Sequence, residues 1–500
     1  MGNLDGFVKS LRGIMRMDSG ISGDAQRIEQ ISWLLFLKVY DAKEKDWEIT
    51  DKEYISIIPE KYRWRNWASL SDEGNGMTGD TLLSFVNDEL FPALKSLPVD
   101  STTPAKKAIV RTVFEDTNQY MKDGVHLRQV INAIDEIDFS SYEETHVFGE
   151  IYEGILKEMQ SAGSAGEFYT PRAVTDFMAE KMNPQVGEVC ADFACGTGGF
   201  LISWLKAMES KVKTAEDLEK LDKSVYGMEK KQFPYTLCVT NMLLHGIDSP
   251  RIEHGNSLAK NVLDLTDEDK FDCVLMNLPY GGYEKDEIKS NFPVDVRSAE
   301  PADLFMSVVM YRLKTGGRAA VILPDGFLFS TDGAKLAIKK KLLSEFNLHT
   351  IVRMPESVFA PYTTITTNIL FFEKNSSSDG SGGGTNEIWF YRLDMPEGYK
   401  HFSKRKPIKR EHFSALDDWW EKRKRIKDSK QGESWKSRRY DVQDIIDTGY
   451  NLDLCGYQNE ERVILSPEET MDQFMKRWDE LNRLMGEKLT VINRLLEVKG

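Results

Sequence analysis

Residues 191–200 read Ala191-Asp192-Phe193-Ala194-Cys195-Gly196-Thr197-Gly198-Gly199-Phe200, and this stretch decides the fold. A short apolar run ends in an acid, a glycine-rich turn follows, and a helical pattern opens at Phe200. Glycines let a backbone come close to a bound ligand, and the amides at a helix N-terminus face it. The turn reads either as a nucleotide-binding turn or as a tight structural one. It is not a phosphate-cradling P-loop, because no Gly-Lys-Ser/Thr follows.

Outward from this turn, strand-like and helix-like segments alternate. Apolar or β-branched runs lie at residues 189–193, 225–228, 271–276, 319–323 and 350–353, and helical patterns fit at 200–210, 232–245, 303–313 and 334–346. This alternation predicts an α/β fold with a doubly wound, mostly parallel, Rossmann-like sheet. Ligands of such sheets sit at the carboxyl ends of the strands. Two further strands, 368–372 and 387–392, flank a Ser/Gly-rich stretch at 374–386 that reads as a flexible loop without a catalytic role.

Two of the predicted strands end on chemistry. The second closes on Glu229, and an acid in that place accepts hydrogen bonds from both hydroxyls of a ribose. Its distance from the glycine turn exceeds the usual spacing of about 20 residues. The charged helical stretch 211–223 accounts for this as a surface insertion. The third strand runs straight into Asn277-Leu278-Pro279-Tyr280. The Asn277 side-chain oxygen and a neighbouring main-chain carbonyl can together accept from an exocyclic amine, and Tyr280 can stack on a base. The bland alternatives are an exposed acid and a proline-stiffened turn.

Taken together, these residues resemble a known family. The stretch from Asp192 through Ala194, Gly196, Thr197, Gly198 and Gly199 is similar to the cofactor motif of amino-methyltransferases, and Asn277–Tyr280 to their Asn-Pro-Pro-Tyr/Phe catalytic motif. Upstream, Gly166 followed by Glu167, Phe168, Tyr169, Thr170, Pro171 and Arg172 resembles the Phe-Tyr-Thr-Pro motif that closes over S-adenosylmethionine. Residues 323–329, 363–372 and 449–453 match signatures of the methylation subunit of type I restriction–modification systems, and the likeness runs over essentially the whole chain. The resemblance implies an adenine-N6 DNA methyltransferase using S-adenosylmethionine. Its partners would be double-stranded DNA, a separate specificity subunit and, in the full complex, a restriction subunit. Asn277, Leu278, Pro279 and Tyr280 would be catalytic. Glu167–Arg172, Asp192, Ala194, Gly196–Gly199, Glu229 and Asn256 would hold the cofactor. The scheme requires neither a metal nor a general base. The competing readings are a catalytically dead scaffold and a protein-glutamine or RNA methyltransferase.

Two positions depart from the family pattern. Leu278 stands where the family has its first proline. This removes a lock on φ and adds an N–H, so a softer loop is expected. Asn256 stands where many relatives have Asp; its amide oxygen can still accept from the cofactor's adenine amine, the bland alternative being a plain turn former.

The flanks divide the chain into an expected helical N-terminal domain (1–150), a methyltransferase domain (151–465) and a long C-terminal helix (466–500). Residues 26–47 and 82–97 carry helical apolar patterns, with no glycine-rich strand–turn–helix among them. The C-terminal stretch shows Phe474, Trp478, Leu481, Met485, Leu489, Ile492 and Leu495 at spacings of three and four, a stripe that packs on its own domain or on a partner helix. The net charge is −15, awkward for a DNA enzyme, yet residues 400–440 hold 15 Lys+Arg against 6 Asp+Glu and so carry +9. One basic segment in an acidic protein fits a subunit that leaves sequence choice to a partner, or else an ordinary solvated surface. Hydrophobic content of 41% excludes a disordered chain. No run of about 18 apolar residues is present, and no membrane association is expected. Five scattered cysteines without a CxxC pair read as reduced, buried thiols of a cytoplasmic protein.

Overall fold

The computed structural model describes residues 4–69, 76–137, 169–331, 333–360, 362–375, 384–403, 405–428, 435–456 and scattered positions from 471 to 488. Glu167, Phe168 and most of the 374–386 loop lie outside the described residues. Two compact units are present, Met1–Gly456 and Tyr457–Gly500.

The first unit is built on ten strands: β1 (Cys190–Asp192), β2 (Val225–Glu229), β3 (Arg251–His254), β4 (Phe271–Asn277), β5 (Leu313–Pro324), β6 (Phe346–Arg353), β7 (Thr367–Lys374), β8 (Glu387–Arg392), β9 (Ile426–Lys427) and β10 (Trp435–Asp441). They form one sheet in the order β3-β2-β1-β4-β5-β7-β6-β8-β10-β9. The run from β3 to β5 is parallel throughout. Beyond it, β7 is antiparallel to both β5 and β6, β8 is parallel to β6, and β10 is antiparallel to β8 and β9. The chain steps from β1 to β2 on one side and to β4 on the other, so the order reverses between β1 and β4, where α/β sheets open a ligand crevice.

Side chains alternate across the sheet. On β5, Ala320 and Ile322 enter one apolar core while Ala319, Val321 and Leu323 enter the other. Helices Arg172–Met182, Gly199–Glu209 and Gln232–Leu244 cover the first face. Helices Pro301–Arg312 and Gly333–Glu345 cover the second. The insertion 211–223 folds as the helix Ala215–Asp222, opened by a Thr214/Asp217 capping box, and none of its residues is buried.

The helical N-terminal region joins the same unit. Its long helix Asp24–Thr50 buries Trp33, Leu34, Phe36 and Tyr40 among its own neighbours. Polar contacts then fasten it to the sheet domain. Gln232 Nε2 donates to the carbonyls of Thr112 (2.8 Å) and Val113 (2.7 Å), while Lys43 Nζ (3.1 Å) and Trp47 Nε1 (3.0 Å) reach the carboxylate of Asp248.

A buried polar cluster closes the carboxyl edge of the second half of the sheet. Arg353, 2% exposed, ends β6. Its guanidinium donates to Asp325 (3.1 Å), Asn368 (3.3 Å), the Gly456 carbonyl (2.9 Å) and Asp453. Asn368 Nδ2 donates in turn to Asp325 (2.6 Å). The stretches 323–329, 363–372 and 449–453, distant in sequence, meet around this one arginine.

In the second unit, Met471, Phe474, Met475, Trp478, Leu481 and Met485 are exposed on helical residues.

Candidate active site

The chemistry-bearing turns gather where the strand order reverses. A cavity of about 370 Å³ opens there, lined by residues following β1, β2, β3 and β4. Of the cofactor residues expected from sequence, Tyr169, Thr170, Asp192, Ala194, Gly196, Thr197, Gly199, Glu229 and Asn256 line it, as do Asn277, Leu278 and Pro279 of the catalytic set.

The glycine turn is shaped by two left-handed residues, Gly196 (φ 53°) and Gly198 (φ 84°). A Cβ on Gly198 would also lie 2.9 Å from Cys238 Sγ and from Met242 Cε, so glycine lets the turn approach helix Gln232–Leu244. Gly198 supports the turn from behind and is not part of the cavity wall. Pro171 and Arg172 act from the same side. Pro171 precedes helix Arg172–Met182, and Arg172 Nη1 donates to the Gly199 carbonyl (2.5 Å), tying this segment to the turn.

Two carboxylates face the cavity. Glu229 accepts from the backbone N–H groups of Gly196 (3.0 Å) and Lys231 (2.8 Å), which fixes its position across from the glycine turn. Asp192 accepts from the Ala194 N–H (3.1 Å). Burial, with Glu229 nearby, pushes the Asp192 carboxyl up to about 8. Asn256 Oδ1 accepts from the Leu258 N–H (3.1 Å), so this oxygen closes a local turn while its residue lines the cavity.

Asn277 ends β4 with its amide held on one side. Its Nδ2 donates to Thr170 Oγ1 (3.2 Å), and its Oδ1 is buried without a hydrogen-bond partner among the described residues. Leu278 follows directly. Its N–H donates to the Ile322 carbonyl (3.3 Å), extending the β4–β5 ladder by one residue, and its side chain is 1% exposed in the second core. The added N–H is thus bonded to β5, while the lock on φ that a proline gives is absent. Tyr280 is the last residue of the Asn277–Tyr280 motif. Its half-buried ring packs against the second core and is not part of the cavity wall, and burial raises its phenol.

Sequence reasoning also missed several wall residues, among them Lys230, Phe233 and Pro234 after β2, Ser257, Phe305 and Tyr362. Ala25 and Ile28 of the N-terminal helix line the cavity as well.

The N-6 DNA Methylase family profile matches residues 143–464, and the HsdM N-terminal domain profile matches residues 4–134. This chain belongs to the N-6 DNA methylases. The methylase subunit of the type I restriction enzyme EcoEI of Escherichia coli is 46% identical to it over 99% of this chain and 98% of that one. That of the type I enzyme EcoKI of Escherichia coli strain K12 is 28% identical over 80% and 73%. Among solved structures, a modification subunit assigned to a type I restriction enzyme of Vibrio vulnificus YJ016 superposes with a TM-score of 0.77 at 40% identity, covering 91% of this chain and 96% of that one. A chain from a structural study of type I restriction–modification assembly gives 0.78 at 35% identity, covering 99% of both. Within that family this chain is a type I methylase subunit with the helical N-terminal region and mixed α/β sheet of its relatives.

Proposed function

We propose that this methylase subunit transfers a methyl group from S-adenosylmethionine to the exocyclic N6 amine of an adenine turned out of double-stranded DNA. The observation that carries the proposal is the buried, unpartnered Oδ1 of Asn277 beside the cavity. Leaving a buried acceptor unsatisfied costs about 1–3 kcal/mol, which a ligand donor placed there recovers.

The cavity suits the cofactor. An acidic wall of Asp192 and Glu229 matches a ligand bearing an ammonium and a sulfonium, and a cation beside Asp192 would stabilise its ionised form. Glu229 is set to accept ribose hydroxyls. Asn256 would meet the adenine edge through its remaining lone pair, and Phe233 and Pro234 would supply apolar surface. The resemblance adds Glu167–Arg172 as a strap. S-adenosylmethionine, when bound, supplies an already activated methyl group. The protein's work is therefore to position and polarise the base.

Asn277 Oδ1 and the Leu278 carbonyl would accept the two amine hydrogens and draw the nitrogen lone pair out of ring conjugation. Pre-placed groups of this kind are worth about 3–4 kcal/mol. Thr170 Oγ1 accepts from Nδ2, and in this orientation the amide oxygen is left for the base. Pro279 stiffens the turn. The stacking role of Tyr280 rests on the family resemblance alone.

The chain would work with a specificity subunit that supplies the DNA sequence choice and, in the full complex, with a restriction subunit. The exposed apolar row on the C-terminal unit suits such contacts. The division near residues 150 and 465 is supported by where the family profiles end. Among the described residues no helix is long and apolar enough to cross a membrane, in keeping with a cytoplasmic site of action.

Methyl transfer from labelled S-adenosylmethionine to duplex DNA, with nucleoside analysis, tests the proposal with and without the specificity subunit. N6-methyladenine formed only with that subunit is expected. Cofactor binding without transfer to DNA in the assembled complex would overturn it.

A further inference from the structure

The cofactor cavity is not made by the methyltransferase sheet alone. Ala25 and Ile28, three residues apart on one face of helix Asp24–Thr50, line it beside Phe233 and Pro234 at the start of helix Gln232–Leu244. Ile28 is 4% exposed, so it fills space between the two helices. Arg27 Nη1 (2.6 Å) and Arg12 Nη2 (2.9 Å) hold the carboxylate of Asp24 and fix this first turn. The contacts of Lys43 and Trp47 with Asp248, and of Gln232 with the Thr112 and Val113 carbonyls, fasten the same helical domain away from the cavity.

We propose that the helical N-terminal domain is an integral wall of the cofactor site, with Ala25 and Ile28 closing it opposite the sheet, so that cofactor binding and docking of this domain stabilise each other. The inference rests on reading the cavity as the cofactor site. A ligand touching both helices binds the docked arrangement better than an undocked one. By linkage, the docked arrangement must then be favoured by the ligand to the same degree. Occupancy of the cofactor site is thereby reported to a domain that carries none of the glycine, acid or asparagine motifs.

The experiment uses the full chain with S-adenosylhomocysteine as probe, reading affinity by calorimetry and backbone protection by hydrogen exchange. The ligand is expected to slow exchange in Asp24–Thr50 and Ala105–Glu115 as well as around the glycine turn. Ile28→Ala, at the wall, and Asp248→Ala, outside the cavity, are each expected to bind about fivefold more weakly, at the low end of typical coupling. Slowing confined to the sheet domain, with Ile28→Ala binding at the wild-type affinity, would overturn the inference even if Asp248→Ala leaves the docking intact. Glu229→Ala separates the two levels of argument. If Glu229→Ala binds like wild type, the cofactor reading falls and takes this inference with it. If only Glu229→Ala loses binding, the coupling alone is refuted.

Discussion

The two halves of the sheet treat their carboxyl edges in opposite ways. At the β1–β4 edge, glycine turns and carboxylates surround a cavity, and Asn277 Oδ1 is buried with nothing bonded to it. At the β5–β6–β7 edge, Arg353 ties Asp325, Asn368, Asp453 and Gly456 into one cluster. Both edges carry family signatures, so resemblance alone does not tell chemistry from architecture. Position does: among the described residues each edge leaves a buried polar atom unpartnered, Asn277 Oδ1 at the first and Thr367 Oγ1 at the second, but of the two only Asn277 lines the cavity, where a ligand can reach it.

The sharpest way to break this contrast is to exchange the expected consequences. Arg353→Met leaves the partly exposed carboxylates of Asp325 and Asp453 without their cation and is expected to cost about 3 kcal/mol of stability in denaturant titration, the low end for a broken buried pair. Cofactor affinity of the folded fraction should stay unchanged. A stable variant with impaired binding would put the second edge on the chemical side of the comparison. Asn277→Ala should do the reverse. Methyl transfer by the assembled complex is expected to fall about 10²–10³-fold, with the melting temperature and cofactor affinity held. Loss of stability without loss of turnover would make Asn277 an architectural residue.

Leu278→Pro sharpens the boundary between the two roles. It restores the family's usual residue but deletes the N–H bonded to Ile322, at a cost of about 1 kcal/mol. A more stable variant would mean that the ladder contact matters less than the stiffened φ. A fourth effect concerns pH. Asp192 has its folded carboxyl raised from 3.8 to about 8, so its contribution is fully present below the unfolded value and is lost as pH rises through about 8. The melting temperature of Asp192→Asn relative to wild type, both without cofactor, should therefore climb between pH 4 and 8. A flat difference would mean that Asp192 is not desolvated.

Much of this was legible because apolar runs mark buried parallel strands. The expected strands at 189–193, 225–228 and 271–276 coincide with β1, β2 and β4 to within a residue or so at either end, and the motifs fall at their carboxyl ends. β3 was not legible. Arg-Ile-Glu-His has a single buried side chain, as suits an edge strand, and offers no apolar run. β10 hides for the same reason: Trp-Lys-Ser-Arg-Arg-Tyr-Asp has one buried side chain and reads as charge within the basic segment 400–440. Several of that segment's cations pair with acids of the same chain at its surface, Arg410 with Glu180 and Asp417, Arg439 with Glu387, and Lys436 with Asp394. The antiparallel insertion of β7 between β5 and β6 depends on chain direction, which composition does not encode. In the site, residue type and spacing pointed to the acids and to Asn277. They could not reveal that the half-buried Tyr280 ring packs against the core, nor that Ala25 and Ile28 reach the cavity, because those facts depend on which elements pack where.

The helix Ala215–Asp222 has a practical corollary. It closes its own first turn with Thr214 and Asp217 and buries no side chain, yet it sits directly before β2, which ends on Glu229. Surface segments of this kind accept insertions and chain breaks. A fluorophore or a small reporter grafted there would sit at the amino end of β2, the length of that strand away from Glu229, and would tag a working complex without touching the core or the cavity.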